Sequence, residues 1–140
     1  MTTPTPSGAD IARQWLAISP FVKYLSIELV ALESGMATLR LPYDKTMTTI
    51  GSVVHGGAIA TLMDSAGAAA AWAGAEVPAN IRGATVSLAT TYLATAEDED
   101  VLATARVLRR GRSLPGSERS ASRHNDASTR GSPGQPSMPR

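Results

Sequence analysis

Residues 51–73 read GSVVHGGAIATLMDSAGAAAAWA, and this stretch decides the architecture. From about Gly57 to Ala73 it is free of proline, and its apolar residues recur at helical spacing. On a 3.6-residue period Ile59, Leu62, Met63, Ala66 and Ala70 share one side. The opposite side carries Ala60, Thr61, Asp64, Gly67, Ala68 and Ala71. Neither side has the charged residues of a solvated helix surface. The segment is therefore expected to be a helix covered nearly all round, bulky on one side and small on the other.

Working outward, residues 23–32 (KYLSIELVAL) and 36–42 (MATLRLP) predict two strands joined through Glu33-Ser34-Gly35. In the first, Leu25, Ile27, Leu29 and Ala31 alternate with the other residues and predict one apolar side. Upstream, Ile11, Trp15, Leu16 and Ile18 suit a short amphipathic helix from Asp10 to Ser19, with Asp10 as N-cap and Pro20 ending it. Residues 43–54 predict a loop. Downstream, residues 84–95 (ATVSLATTYLAT) and 101–109 (VLATARVLR) predict two further strands, joined by the acidic turn Glu97-Asp98-Glu99-Asp100. Helix, two strands, long helix, two strands is an α+β order, with an antiparallel sheet wrapped on the central helix.

The pattern then stops. Residues 115–140 contain only Ala121, Ala127 and Met138 as apolar positions, a Ser/Arg/Gly/Pro composition that cannot bury a core. The expected organisation is a disordered N-terminus over 1–9, a folded domain over 10–114 and a disordered tail over 115–140. Within 140 residues, 43% hydrophobic and six of them aromatic, the core must be aliphatic and alanine-rich. The absence of cysteine excludes disulfides, Cys-ligated zinc and a thiol nucleophile. The net charge of +1 divides into −2 over residues 1–110 and +3 over 111–140, but the arginine-bearing tail has no aromatic residue on which bases could stack. Nucleic acid is not expected as a partner. The N-terminus lacks a basic region followed by an apolar run, and the Ala58–Ala75 stretch is interrupted by Asp64 and shorter than the roughly 20 apolar residues of a membrane span. A cytoplasmic protein without membrane contact is the expectation.

Two features could carry chemistry. His55-Gly56-Gly57 opens the long helix, where unpaired N–H groups and the helix dipole favour negative charge. Donors so placed stabilise a developing oxyanion, by about 3–4 kcal/mol each in measured cases. The same tripeptide also suits a plain helix start capped by histidine. Asp64 is the only charged residue between Lys45 and Glu76, and aspartate is a poor mid-helix residue that resists burial without a partner. Its small neighbours leave room for a substrate, although an edge meeting solvent or a structural partner would also account for it. Arg109, Arg110 and Arg112 could contact phosphate or simply be solvated. With His55 and His124 the only histidines, a His-rich metal site is excluded.

The run from Gly51 to Ala73, with HGG at the head of the helix and an aspartate nine residues after the histidine, resembles the hotdog-fold acyl-CoA thioesterases of the PaaI-like type. The likeness continues through ATVSLATTYLATA and VLATARVLRRGRSL and covers about Lys23 to Leu114. It implies a cofactor-free hydrolase that converts the thioester of a small or medium acyl- or aryl-CoA to free acid and CoA. By resemblance, Asp64 would activate water or attack the carbonyl itself. The Gly56 N–H would polarise the thioester oxygen, His55 would orient that loop, and Thr85 would place the water. Gly57, Arg109, Arg110 and Arg112 would lie on the substrate side, the arginines near the nucleotide phosphates. The resemblance further implies a homodimer or homotetramer, with Asp64 from one chain and the HGG turn from another. Thr49 stands where many relatives have asparagine, so that contact to the thioester is missing or made differently. Relatives also continue with two more strands for which residues 115–140 have no counterpart, which makes the expected hotdog fold C-terminally incomplete. Two other readings stand beside the enzyme: a non-catalytic hotdog module that binds acyl-CoA or only dimerises, and an inactive fragment whose reading frame shifts near Leu114.

Overall fold

A computed structural model describes residues 5–77 and 83–110. Helix α1 (Gly8–Ile18) is followed by a short α2 (Pro20–Tyr24), the hairpin strands β1 (Glu28–Glu33) and β2 (Met36–Leu41), and a 3-10 turn over Lys45–Met47. Two short strands, β3 (Thr48–Ile50) and β4 (Val53–Val54), lead into the long helix α3 (Gly56–Ala73), and β5 (Val101–Arg106) follows. The main sheet is antiparallel in the order β1-β2-β5, and β3 and β4 form a separate ribbon. Helix α3 packs on β2 and β5, and α1 lies against α3.

The strands beside α3 alternate cleanly. Ala37, Leu39 and Leu41 of β2 are buried, and they pair across the ladder with Ala105, Ala103 and Val101 of β5. Intervening residues face outward, where Thr38 and Thr104 bond through their hydroxyls at 3.0 Å. The expected bulky side of α3 closes this layer: Ile59, Leu62, Met63, Ala66 and Ala70 are all buried. Of the small side, Gly67 is buried and Ala60, Thr61, Asp64, Ala68 and Ala71 are half-buried.

Several local expectations are corrected. The helix expected from Asp10 begins two residues earlier, because Ser7 is the N-cap and Asp10 closes a reciprocal capping box at the third helical position. Pro20 both ends α1 and starts α2, where proline at the first position is favoured, so residues 23–27 are helix end and turn and the strand begins at Glu28. The apolar side expected on β1 does not form, since a bulge between Leu29 and Ala31 breaks the two-residue alternation. Leu29 and Ala31 lie exposed and only Leu32 turns partly inward. Residues 43–54 are not a plain loop, because they hold the 3-10 turn, β3 and β4.

The strand expected over 84–95 is also absent. A strand needs a ladder partner, and no described strand pairs with residues 83–96. The run is anchored at its end instead, where the Val54 N–H donates to the Ala96 carbonyl at 2.9 Å and a single bridge joins Val53 to Glu97. Arg40 ties the acidic turn to the sheet, reaching Asp100 at 2.7 Å and Glu28 at 2.6 Å. Residues 1–4 and 111–140, and with them the expected disordered tail, lie outside the described residues. Among the described residues no helix is long and apolar enough to cross a membrane.

Candidate active site

The N-terminus of α3 is built by its own sequence. His55 takes the extended N-cap conformation, and its Nδ1 accepts the Gly57 N–H at 2.8 Å. The His55 carbonyl accepts from Ala58 at 2.9 Å and Ile59 at 3.2 Å, while its own N–H donates to the Met47 carbonyl at 2.8 Å. A neutral imidazole with its proton on Nε2 satisfies this arrangement. Of the first-turn donors, the Gly56 N–H is left with no acceptor among the described residues. The capping histidine and the available donor therefore coexist in one turn.

Asp64 sits in the middle of α3, half-buried on the small-residue side. The Thr85 hydroxyl donates to its Oδ1 at 2.5 Å, a short charge-assisted bond. Thr61, one turn before Asp64, returns its hydroxyl to the Gly57 carbonyl at 2.9 Å and leaves the carboxylate alone. Asp64 and Thr85, both named from the sequence as candidate site residues, are thus brought together across 21 positions, with Thr85 bonded to the carboxylate itself.

Asp64 and the HGG turn are not brought together within one chain. Eight residues at 1.5 Å rise separate Gly56, the first helical residue, from Asp64 by about 12 Å along the axis, with about a quarter turn between them. One carbonyl cannot meet both groups of the same chain.

Arg110 reaches the other end of α3 at Ala71, about 22 Å from Gly56 along the axis. Arg110 donates to the Ala71 carbonyl at 3.0 Å, a cation set against the negative end of the helix dipole. Arg109 and Arg110 line an open cleft of about 430 Å³ together with Glu33, Ser34 and Arg106. Arg112 lies outside the described residues, and Thr49 is exposed in β3.

One residue at the HGG turn was not anticipated. The Tyr92 hydroxyl donates to the Gly56 carbonyl at 2.7 Å. The only sequence signal was that Tyr92 is the last aromatic residue of the chain. Among the described residues no group of three His, Asp or Glu side chains could hold a metal ion.

Comparison with known proteins settles the family. The thioesterase superfamily model matches residues 51–114, which include the HGG turn, Asp64 and Thr85. A Halobacterium salinarum protein named as a candidate esterase is 33% identical over 107 residues, covering 74% of this chain and 70% of its own. This chain belongs to the thioesterase superfamily. Its fold is that of the hotdog thioesterases. The crystal structure of a thioesterase family protein from Silicibacter pomeroyi superposes with a TM-score of 0.67 at 28% identity, over 76% of each chain. The Escherichia coli PaaI protein of the phenylacetic acid degradation operon superposes with a TM-score of 0.65 at 21% identity, over 74% of this chain and 73% of that one. The α+β expectation drawn from α3 and its flanking strands thus holds for this superfamily member.

Proposed function

We propose that this superfamily member hydrolyses the thioester of a small or medium acyl- or aryl-CoA, at a site shared by two copies of the chain. The observation that carries the reading is Asp64. It is a carboxylate on an alanine-lined helix side, with one oxygen held by Thr85 and no partner for the other among the described residues. Such a group is oriented but not neutralised, as a base or nucleophile needs to be. The separation of Asp64 from Gly56 along α3 supports the requirement for a second copy, whose Gly56 N–H would face the reacting carbonyl.

In this reading the Gly56 N–H of one chain accepts the growing negative charge on the thioester oxygen, aided by the positive end of α3. Asp64 of the other chain takes a proton from the attacking water, or itself attacks the carbonyl to form an anhydride that water then opens. In either route the C–S bond breaks, and CoA leaves as a thiolate that picks up a proton. Thr85 holds the carboxylate throughout. Arg109 and the donors of Arg110 not bound to Ala71 offer positive charge to the nucleotide phosphates, joined by Arg112.

The test is thiol release from acetyl-, octanoyl- and phenylacetyl-CoA by the full chain, beside Asp64→Ala and Asp64→Asn. The expected result is turnover that falls by about 10²–10⁴-fold in both variants. Unchanged activity in both would remove Asp64 from the mechanism. Tight acyl-CoA binding without turnover in the unaltered chain would identify a binding module instead.

A further inference from the structure

We propose that Tyr92 is a positioning residue for the turn carrying the oxyanion donor, acting through Gly56 and not on the substrate. The inference rests on the thioesterase reading above. Its hydroxyl has a single proton, and that proton is given to the Gly56 carbonyl at 2.7 Å. It is therefore not free to protonate a leaving group or to serve as a donor to the substrate. The ring lies against the same residue: a Cβ added to Gly56 would stand 3.4 Å from the Tyr92 Cζ and 3.5 Å from its hydroxyl oxygen. Tyr92 thus holds Gly56 by a hydrogen bond, with its ring on the side of the glycine where a side chain would stand.

That hold falls where the helix itself provides least. Gly56 is the first residue of α3, its N–H has no acceptor among the described residues, and it lacks a side chain to anchor it. The histidine cap fixes Gly57, Met47 fixes the His55 amide, and the Gly56 carbonyl, already in the helix ladder, takes the Tyr92 hydroxyl as a second donor that ties the first turn to a segment outside the helix. An oxyanion donor works only within about 2.7–3.1 Å of the developing charge, so a small tilt of this turn weakens it. Tyr92 lies in a segment with no ladder of its own, and the same segment supplies Thr85 to Asp64. Residues 83–96 therefore hold both candidate groups of α3 through two hydroxyls, one at the carboxylate and one at the turn.

Tyr92→Phe removes the hydroxyl and keeps the ring, and Tyr92→Leu removes both. Kinetics on the best acyl-CoA substrate are expected to show kcat reduced about three- to tenfold in the phenylalanine variant, the range of one neutral hydrogen bond. KM should stay within about twofold, and the leucine variant should lose more kcat than the phenylalanine variant. Amide hydrogen exchange, followed by NMR, should speed up at Gly57, whose N–H is held by His55, while the middle of α3 keeps its protection. An unchanged kcat in Tyr92→Phe overturns the proposal. So does a loss confined to KM, or a fall in kcat that matches a loss of folded protein measured by circular dichroism at the assay temperature. If the unaltered chain turns over none of the substrates, the thioesterase reading fails and amide exchange alone decides whether Tyr92 orders the turn. Unchanged exchange in Tyr92→Phe then overturns the proposal.

Discussion

Mixing two inactive variants gives a quantitative test of the shared site. Gly56→Pro deletes the candidate oxyanion donor and little else. Proline is favoured at the first position of a helix, and His55 already holds ψ at 129°, the extended conformation that a residue before proline prefers. The added Cβ meets Tyr92 at 3.4 Å, an ordinary contact distance. Losing one such donor lowers kcat by about 10²–10³-fold. Asp64→Ala removes the carboxylate from the other half of the site, at a cost of about 10²–10⁴-fold. Each variant alone should therefore keep about 1% of the activity or less. Because Asp64 and Gly56 of one chain lie about 12 Å apart along the axis of α3, an intact site needs Asp64 from a Gly56→Pro chain and Gly56 from an Asp64→Ala chain. With equal coexpression and random pairing, about a quarter of the sites meet both conditions, whether the assembly is a dimer or a tetramer. Coexpressed with two affinity tags and assayed for thiol release, the mixture should recover about a quarter of the unaltered activity. Tandem purification that demonstrates mixed assemblies with activity no higher than the two variants alone would refute the shared site.

Other outcomes follow from single contacts. Gly8→Ala should lower the melting temperature by roughly 5–20 °C, because the new Cβ would lie 2.1 Å from the Trp72 carbonyl oxygen, and backbone at both sides of the α1–α3 contact cannot rotate away. Thermal denaturation followed by circular dichroism checks this, and an unchanged midpoint would mean that α1 is not seated on α3. Thr85→Ala should reduce kcat by roughly 10- to 100-fold while Thr85→Ser stays near the unaltered value, since serine keeps the hydroxyl that holds Asp64. The capping box makes stability sensitive to acid. The Ser7 hydroxyl and then its backbone N–H, both bonded to the Asp10 carboxylate, lower its pKa below the ordinary 3.8. The stabilisation is therefore complete above about pH 4 and fades as pH falls through the lowered folded value. Asp10→Asn should remove that part of the acid sensitivity, as read from melting temperatures between pH 6 and pH 2.5.

What the sequence revealed depends on how local the cause is. Helix α3 was legible because its run of apolar and small residues has no breaker between the HGG turn and Gly74, and because an all-round apolar helix allows only a central position. Asp64 stood out for the same reason, as the lone charge in that run. The resemblance marked Thr85 as a residue that places water, and its hydrogen bond to Asp64 was not legible because the two stand 21 positions apart. The start of β1 was misplaced because Pro20 can end one helix and begin another, and the sequence alone does not say which. The bulge at Val30 is set by pairing with β2, so alternation within β1 could not reveal it. Residues 84–95 have the composition of a strand, but pairing is a property of two segments, and no described strand lies beside them. Tyr92 was missed because nothing near it in sequence marks a contact with a glycine 36 positions earlier.

Six alanines sit in the layer between α3 and the sheet among Leu39, Leu41 and Leu62, with Ala66, Ala69 and Ala70 of the helix and Ala37, Ala103 and Ala105 of the strands all nearly solvent-free. Such a seam has almost no room to drift. Any larger residue must push two backbones apart, and the only smaller one, glycine, loosens a helix by about 1 kcal/mol. Random mutagenesis with selection for soluble protein should leave these six positions nearly silent while Thr38, Leu102 and Thr104, on the outward side of the same strands, accumulate change freely.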